Sequence, residues 1–213
     1  MKVMHELVSC ALVSDVLDEM GYKNQMLPID IKPNFQDARI FGKANIMSLK
    51  KISNDEDYTD VYKGIYFLET LGKGDILIVA NGFSEHAFFG ELMSTLAKEK
   101  GVEGVIIDGC TRDKAETIKL NYPVFARNNI ARDIKKRGIV DEVDVESINL
   151  GNVIVRKGDY LLGDLDGVIV IPFEIIDLVI ERAKEVYKNE LIIKDSIRLG
   201  LSVDEIIRKF GEF

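Results

Sequence analysis

At 213 residues, 46% of them hydrophobic, the chain is long enough to bury one substantial core and reads as a single domain over residues 1–213. A formal charge of −8 and a pI near 5.0 leave no basic face for phosphates, so nucleic acid is excluded as a main partner. Cys10, Cys110, His5 and His86 stand in separate stretches, which excludes a thiol-rich zinc site or disulfide scaffold and fits a reduced cytoplasmic setting.

In chain order, residues 1–6 lack the apolar core of a signal peptide, so the protein is expected to stay in the cytoplasm. Residues 7–20 carry Leu7, Ala11, Val13, Val16, Leu17 and Met20 at helical spacing, with Gly21 as the closing residue and Ser14 or Asp15 as a point of re-capping. Pro28 and Pro33 mark a loop, and residues 39–49 alternate as a strand. Asn54-Asp55-Glu56-Asp57 is a polar connection without the spacing or glycine of a calcium loop. Residues 58–71 predict a helix with Val61, Tyr62, Ile65, Leu68 and Leu71 inward.

Residues 74–120 read as a βαβ unit followed by another helix. Residues 76–80 form an apolar strand that Asn81-Gly82 breaks. A helix over 89–100 turns Phe89, Leu92, Met93, Leu96 and Ala97 inward and stops at Gly101. A second buried strand over 104–107 ends at Asp108-Gly109. Parallel strands joined this way place ligands beyond their carboxyl ends. Two features meet there: the unpaired amides of Gly90, Glu91, Leu92 and Met93 at a helix start, which can hold an anion, and the Cys110 to Asp113 loop.

Beyond that loop, Arg112, Asp113 and Glu116 allow two readings. If a helix begins near Thr111, Asp113 and Glu116 share a face, where two carboxylates can hold a hard divalent cation directly and through water, while Arg112 grips a carboxylate. The same Asp-x-x-Glu pattern is also a capping box that would merely close its own helix. Asp108 is expected to orient the loop and Cys110 to fill space within it.

Residues 112–120 predict a short helix and 122–125 an extended segment. Residues 140–155 alternate as antiparallel strands, Gly158-Asp159 and Gly163-Asp164 make turns, and residues 167–171 form a buried strand. Gly-Lys-Gly-Asp at Gly72 and Arg-Lys-Gly-Asp at Arg156 read as two similar turns and not as an internal repeat. Helices over 175–193 and 203–210 make residues 174–213 a tail whose apolar residues one domain would not cover, suited to packing on a neighbouring subunit. No stretch is apolar enough to span a membrane.

The run Gly90-Glu91-Leu92, Ala97-Lys98, Gly101-Val102, Gly104-Val105, Asp108-Gly109, Arg112-Asp113 and Pro123-Val124-Phe125 resembles the 4-hydroxy-4-methyl-2-oxoglutarate aldolase family, which also holds the RraA-like regulators of ribonuclease E activity. The resemblance continues in Lys157-Gly158-Asp159 and from Gly163-Asp164 to Pro172, and more weakly in Ser14-Asp15-Val16-Leu17-Asp18 and Gly21. It implies an RraA-like layered α/β/β/α sandwich, assembled as a homotrimer or hexamer with sites at subunit boundaries. It also implies a metal-dependent (class II) lyase that makes or uses pyruvate; because one metal-enolate site serves both reactions, cleavage of a 4-hydroxy-2-oxo acid to pyruvate and decarboxylation of oxaloacetate are both expected.

Carried onto this sequence, the resemblance makes Asp113 the ligand of Mg²⁺ or Mn²⁺, with Glu116, and Glu91 in like manner, holding metal-bound water. Arg112 becomes the catalytic, substrate-binding arginine, and Gly90, Glu91, Leu92 and Met93 the amides that hold the small 2-oxo acid's carboxylate. The chemistry agrees: an enolate left by cleavage beside a keto acid is stabilised by a Lewis acid and a fixed guanidinium, with no Schiff-base lysine. The general base is left unassigned. The alternative is a non-catalytic RraA-type regulator binding a ribonuclease or helicase, in which the second acid tends to be missing; Glu116 favours the enzyme. A methyltransferase, a name carried by some relatives, would need a glycine-rich cofactor loop that this sequence lacks.

Overall fold

The computed structural model describes residues 8–53, 57–81 and 85–211. The expectations for residues 1–7, for Asn54, Asp55 and Glu56, and for the Gly82 turn lie outside the described residues. In chain order the elements are α1 (Cys10–Glu19), β1 (Lys32–Pro33), β2 (Ile40–Lys51), a 3₁₀ turn (Thr59–Tyr62) leading into α2 (Lys63–Thr70), β3 (Asp75–Asn81), β4 (Ala87–Phe89), α3 (Glu91–Lys100), β5 (Gly104–Thr111) and α4 (Lys114–Lys119). There follow β6 (Val124–Asn129), β7 (Gly138–Val143), β8 (Ser147–Leu150), β9 (Val153–Arg156), β10 (Tyr160–Asp164), β11 (Gly167–Ile171), a second 3₁₀ turn (Phe173–Ile175), α5 (Ile176–Arg198) and α6 (Val203–Phe210).

One sheet runs in the order β1-β6-β5-β3-β2-β10-β11, with β4 beside β5 and β7 beside β2. Strands β2, β3, β5 and β6 are mutually parallel; β10 is antiparallel to β2, and β11 antiparallel to β10. The Leu27 N–H donates to the Val168 carbonyl at 2.9 Å, and Met26 bridges Ile169, so the chain just before β1 reaches back to β11 and nearly closes the sheet. This is the expected mixed α/β layering around a central βαβ unit, with a helical C-terminus.

Alternation decides which face each side chain serves. In β3, Ile76 and Ile78 point into an inner core with Ile40, Ile46, Ile106 and Phe125, while Leu77 and Val79 face an outer core with Phe67, Leu68, Ala97 and Val105. A strand buried on both faces is apolar at every position, as residues 76–79 are. Each such aliphatic side chain contributes about 1.5–3 kcal/mol by leaving water. A third cluster packs α1 and α5 against Phe41, Leu162, Ile169 and Ile171. Among the described residues, no helix is long and apolar enough to cross a membrane.

Several expectations need correction. Ser9 caps α1, its Oγ accepting from Leu12 N at 3.2 Å, so the helix runs through Ser14 and Asp15 without a break. In the segment before β3, Tyr62 turns outward and Gly64 and Phe67 fill the core, because a 3₁₀ turn precedes α2 and shifts the period. Phe89 is a strand residue: β4 pairs with β5, and the helix begins only after Gly90. Leu92 consequently faces solvent at 82% exposure instead of the core.

Asp108-Gly109 does not end β5, which continues to Thr111 through a register shift between Ile107 and Cys110 because β4 and β6 supply partners beyond it. Gly163-Asp164 is the end of β10; the turn falls on Leu165-Asp166. The two Gly-Asp turns do match: Gly74 and Gly158 both adopt φ 86°, and the Asp75 and Asp159 carboxylates each accept the N–H three residues back.

Candidate active site

The short strand β4 matters because it delivers α3 to the carboxyl end of β5. The Arg112 N–H and the Thr111 hydroxyl both donate to the Phe89 carbonyl, at 3.0 and 2.9 Å, tying the end of β5 to the start of α3. The chain then turns sharply: Asp113 adopts φ 57° and ψ 37°, a left-handed conformation that aspartate tolerates better than most residues.

That conformation settles the capping question. An N-cap side chain reaches its own helix from an extended backbone, and Asp113 makes no such bond to α4. Its Oδ2 instead accepts the Glu91 N–H of α3 at 3.1 Å, placing a carboxylate against the positive end of that helix. The capping-box reading of Asp113 and Glu116 is therefore wrong. Glu116 lies in the first turn of α4, and its Oε1 pairs with Lys119 Nζ at 2.8 Å. Hydrogen bonding to Glu116, reinforced by the charges of Glu116 and Glu91, holds the Lys119 ammonium above its ordinary range.

Gly90 is required by space. A Cβ there would stand 2.4 Å from Asp113 Oδ2 and 2.8 Å from Arg112 Cγ, so the helix start can approach both side chains only without one. Of the expected amides at 90–93, the Glu91 N–H is taken by Asp113. Helix geometry leaves those of Leu92 and Met93 without intrahelical acceptors.

Arg112 lies between two carboxylates. Its Nε is 3.4 Å from Asp113 Oδ2 and its Nη1 is 3.0 Å from Asp133 Oδ2, with each side chain about a third exposed or slightly more. Asp133 went unread in the sequence; only the pairing of the 132–134 segment with β4 brings it here. Asp108 points elsewhere, forming an ion pair with Arg127, whose guanidinium also meets Asp30; this network secures the strand ends. Cys110 is buried, and burial pushes its thiol above the usual range, as suits a packing residue.

Among the described residues, no three Asp, Glu, His or Cys side chains gather as a ready-made metal cage. The donors near Arg112 are carboxylate oxygens. One or two of them, completed by water and substrate oxygens, make up the set a hard divalent ion such as Mg²⁺ accepts and zinc does not prefer. A small polar hollow of about 110 Å³ between α1 and β11, lined by Ser14, Asp18, Lys23 and Gln25, has none of these residues in its lining.

A family model described as RraA-like, Aldolase/RraA, matches residues 10–170. A Methanocaldococcus jannaschii protein without an assigned activity is 35% identical over 181 residues, 83% of this chain and 82% of its own. A Halalkalibacterium halodurans protein, provisionally named a 4-hydroxy-4-methyl-2-oxoglutarate aldolase, is 33% identical over 174 residues, 81% of this chain and 77% of its own. The solved structure of Streptomyces coelicolor RraAS2, described as an unusual member of the RNase ES inhibitor RraA protein family, superposes with a TM-score of 0.76. It covers 94% of this chain and 96% of its own at 20% identity, a likeness of fold alone.

Proposed function

This chain belongs to the RraA-like family, and from that premise we propose that it is a class II lyase that cleaves a 4-hydroxy-2-oxo acid to release pyruvate and also decarboxylates oxaloacetate. The observation that carries the reading is the Asp113 carboxylate drawn across to the α3 amide end and set beside Arg112. A carboxylate whose only task was to close its own helix would not be there.

The reaction needs two things from the protein. The substrate's 1-carboxylate and 2-keto oxygens must be held, and the negative charge that reaches the keto oxygen must be met by positive charge. In the aldol direction reversed, the 4-hydroxyl loses its proton, the C3–C4 bond breaks, and the electron pair moves towards the keto oxygen before C3 is protonated to give pyruvate. In decarboxylation the bond to the leaving carboxylate breaks instead, and carbon dioxide departs.

Arg112 grips the substrate carboxylate and stands by the developing charge. The Leu92 and Met93 amides complete the anion cradle. Asp113, with Glu116 acting through water, would hold Mg²⁺ or Mn²⁺, which supplies Lewis-acid polarisation of the keto oxygen. Exposed Leu92 at the rim supplies apolar surface beside the substrate.

The tail over 174–213 presents Leu191, Ile192, Ile197, Leu199, Val203 and Ile207 to solvent, and Leu199 is 81% exposed. It is assigned to packing on a neighbouring copy, in a trimer or hexamer. The working compartment is assigned to the cytoplasm, consistent with Cys10 and Cys110 standing as thiols outside any disulfide.

Pyruvate release from oxaloacetate and from 4-hydroxy-2-oxo acids, measured on purified protein with Mg²⁺ or Mn²⁺, tests the lyase. Turnover that chelator or Asp113→Ala removes is expected. Silence on every substrate with metal present would sink the reading, and a stoichiometric ribonuclease or helicase partner retained by Asp113→Ala would replace it with the regulator.

A further inference from the structure

We infer that Asp133 is a positioning residue for Arg112: its carboxylate fixes the direction in which the guanidinium meets a substrate carboxylate. The inference rests on the reading that Arg112 holds that substrate.

Arginine has several rotatable bonds, so an exposed guanidinium left alone samples many directions. Here it is clamped along its length. The Arg112 backbone is tied to Phe89, its Cγ lies 2.8 Å from the point a Gly90 Cβ would occupy, and its Nε lies 3.4 Å from Asp113 Oδ2. Its far end would still swing but for Asp133, 3.0 Å from Nη1.

Asp133 is itself well held. The Ala87 N–H donates to the Arg132 carbonyl at 2.8 Å and the Ile134 N–H to the Ala87 carbonyl at 3.1 Å, pinning its segment to β4. The Lys135 N–H donates to Asp133 Oδ1 at 3.1 Å, while Oδ2 serves Arg112. Each carboxylate oxygen thus has its own neighbour, an amide at Oδ1 and the guanidinium at Oδ2, and the group is oriented as well as placed.

Stability is a poor explanation for the pair. With Arg112 and Asp133 33% and 32% exposed, a solvent-screened ion pair adds little to folding. What it does supply is direction. Nε and Nη1 lie beside the two flanking aspartates, which leaves Nη2 to an incoming anion. Asp113 and Asp133 come from different elements and approach from different sides, so losing one leaves the fork free to rotate about the other.

The test uses oxaloacetate turnover with Mg²⁺, oxalate binding by calorimetry as a probe of the carboxylate cradle, and thermal melting, on the full chain and on Asp133→Ala, Asp133→Asn and Arg112→Ala. Asp133→Ala is expected to raise KM and weaken oxalate by about tenfold, with kcat within about twofold, as loss of uniform binding dictates, and with melting unchanged. Asp133→Asn, which keeps an acceptor oxygen, recovers most of the affinity. Unchanged KM and oxalate affinity in Asp133→Ala, or a fall in kcat and melting temperature together without a change in KM, overturns the inference. If Arg112→Ala weakens oxalate while Asp133→Ala does not, the positioning role alone fails. If Arg112→Ala itself leaves oxalate binding intact, the assignment of Arg112 to the substrate fails with it.

Discussion

Helices α3 and α6 start in opposite ways. At α6 the cap is local: Ser202 sits at φ −71° and ψ 159°, its Oγ accepts the Glu205 N–H at 3.3 Å, and Glu205 returns to the Ser202 N–H at 2.8 Å. Four consecutive residues satisfy one another in solvent, and nothing else is involved. At α3 the N-cap is Gly90, which has no side chain to offer, and the acceptor for Glu91 is Asp113, 22 residues further on. That arrangement requires a left-handed aspartate and a glycine too crowded to be anything else. A helix that needs only stability is capped from its own sequence; one capped from a distance has its amide end joined to a second element, and that junction is where the proposed chemistry would lie.

The sharpest way to break this contrast is to remove the distant acceptor. Asp113→Ala is expected to lower lyase turnover by roughly a hundredfold or more, the scale seen when a charge-stabilising group is deleted, while the rest of α3 keeps its packing. Pyruvate release measured beside a thermal melt checks it. Activity within a few-fold of the parent would make the α3 junction no more functional than the α6 cap. Next in size is Gly90→Ala. The added Cβ, 2.4 Å from Asp113 Oδ2, must push the carboxylate or the helix aside, at a cost of about 1–3 kcal/mol for forced overpacking and with most activity lost. A variant that melts and turns over like the parent would show that the approach of α3 to Arg112 and Asp113 is not tight.

The sequence carried these two helix starts unequally. Periodicity found the buried strands, since residues 76–79 and 104–107 are apolar at every step and lie where expected in a parallel sheet. It also found α6 at its observed bounds, because Val203 to Phe210 is bracketed by breaks. The site was legible as a place: Arg112, Asp113 and the Gly90 turn do converge. It was not legible as a geometry. Asp113-x-x-Glu116 and Ser202-x-x-Glu205 carry the same local signature, and only the φ of Asp113, set by the continuation of β5 to Thr111, separates a cap from a junction. Phe89 was lost to the helix because a three-residue strand has no period to detect, and Leu92 was turned inward by the same error. Asp133 had no local signal whatever, since its place beside Arg112 depends on the bridge between its segment and Ala87.

Smaller effects should follow at the local cap. Ser202→Ala removes the acceptor for the Glu205 N–H and is expected to destabilise α6 by about 1 kcal/mol, with lyase activity unchanged because the bond closes within α6. Hydrogen exchange across residues 203–210, compared with turnover, separates the two. Loss of activity here would mean that the tail reaches a site, and the contrast between the two helix starts would have to be redrawn around the assembly.

The smallest effect is a response of α6 to acid. The Ser202 N–H and then its hydroxyl, both donating to Glu205, hold that carboxyl below the ordinary glutamate range. A folded-state value that is depressed contributes stability present above the ordinary value and lost as the pH falls through it towards the lowered one. Protonation removes one acceptor of the reciprocal pair and the negative charge at the helix's positive end. Amide shifts of residues 203–210, followed by NMR from pH 6 to pH 3, should therefore loosen with a midpoint below that of an ordinary glutamate. Glu205→Gln tests this and should flatten the response. An unchanged response in that variant would leave Glu205 with no part in the acid sensitivity, reducing the capping box to a hydrogen-bond pattern without a measurable share in holding the helix.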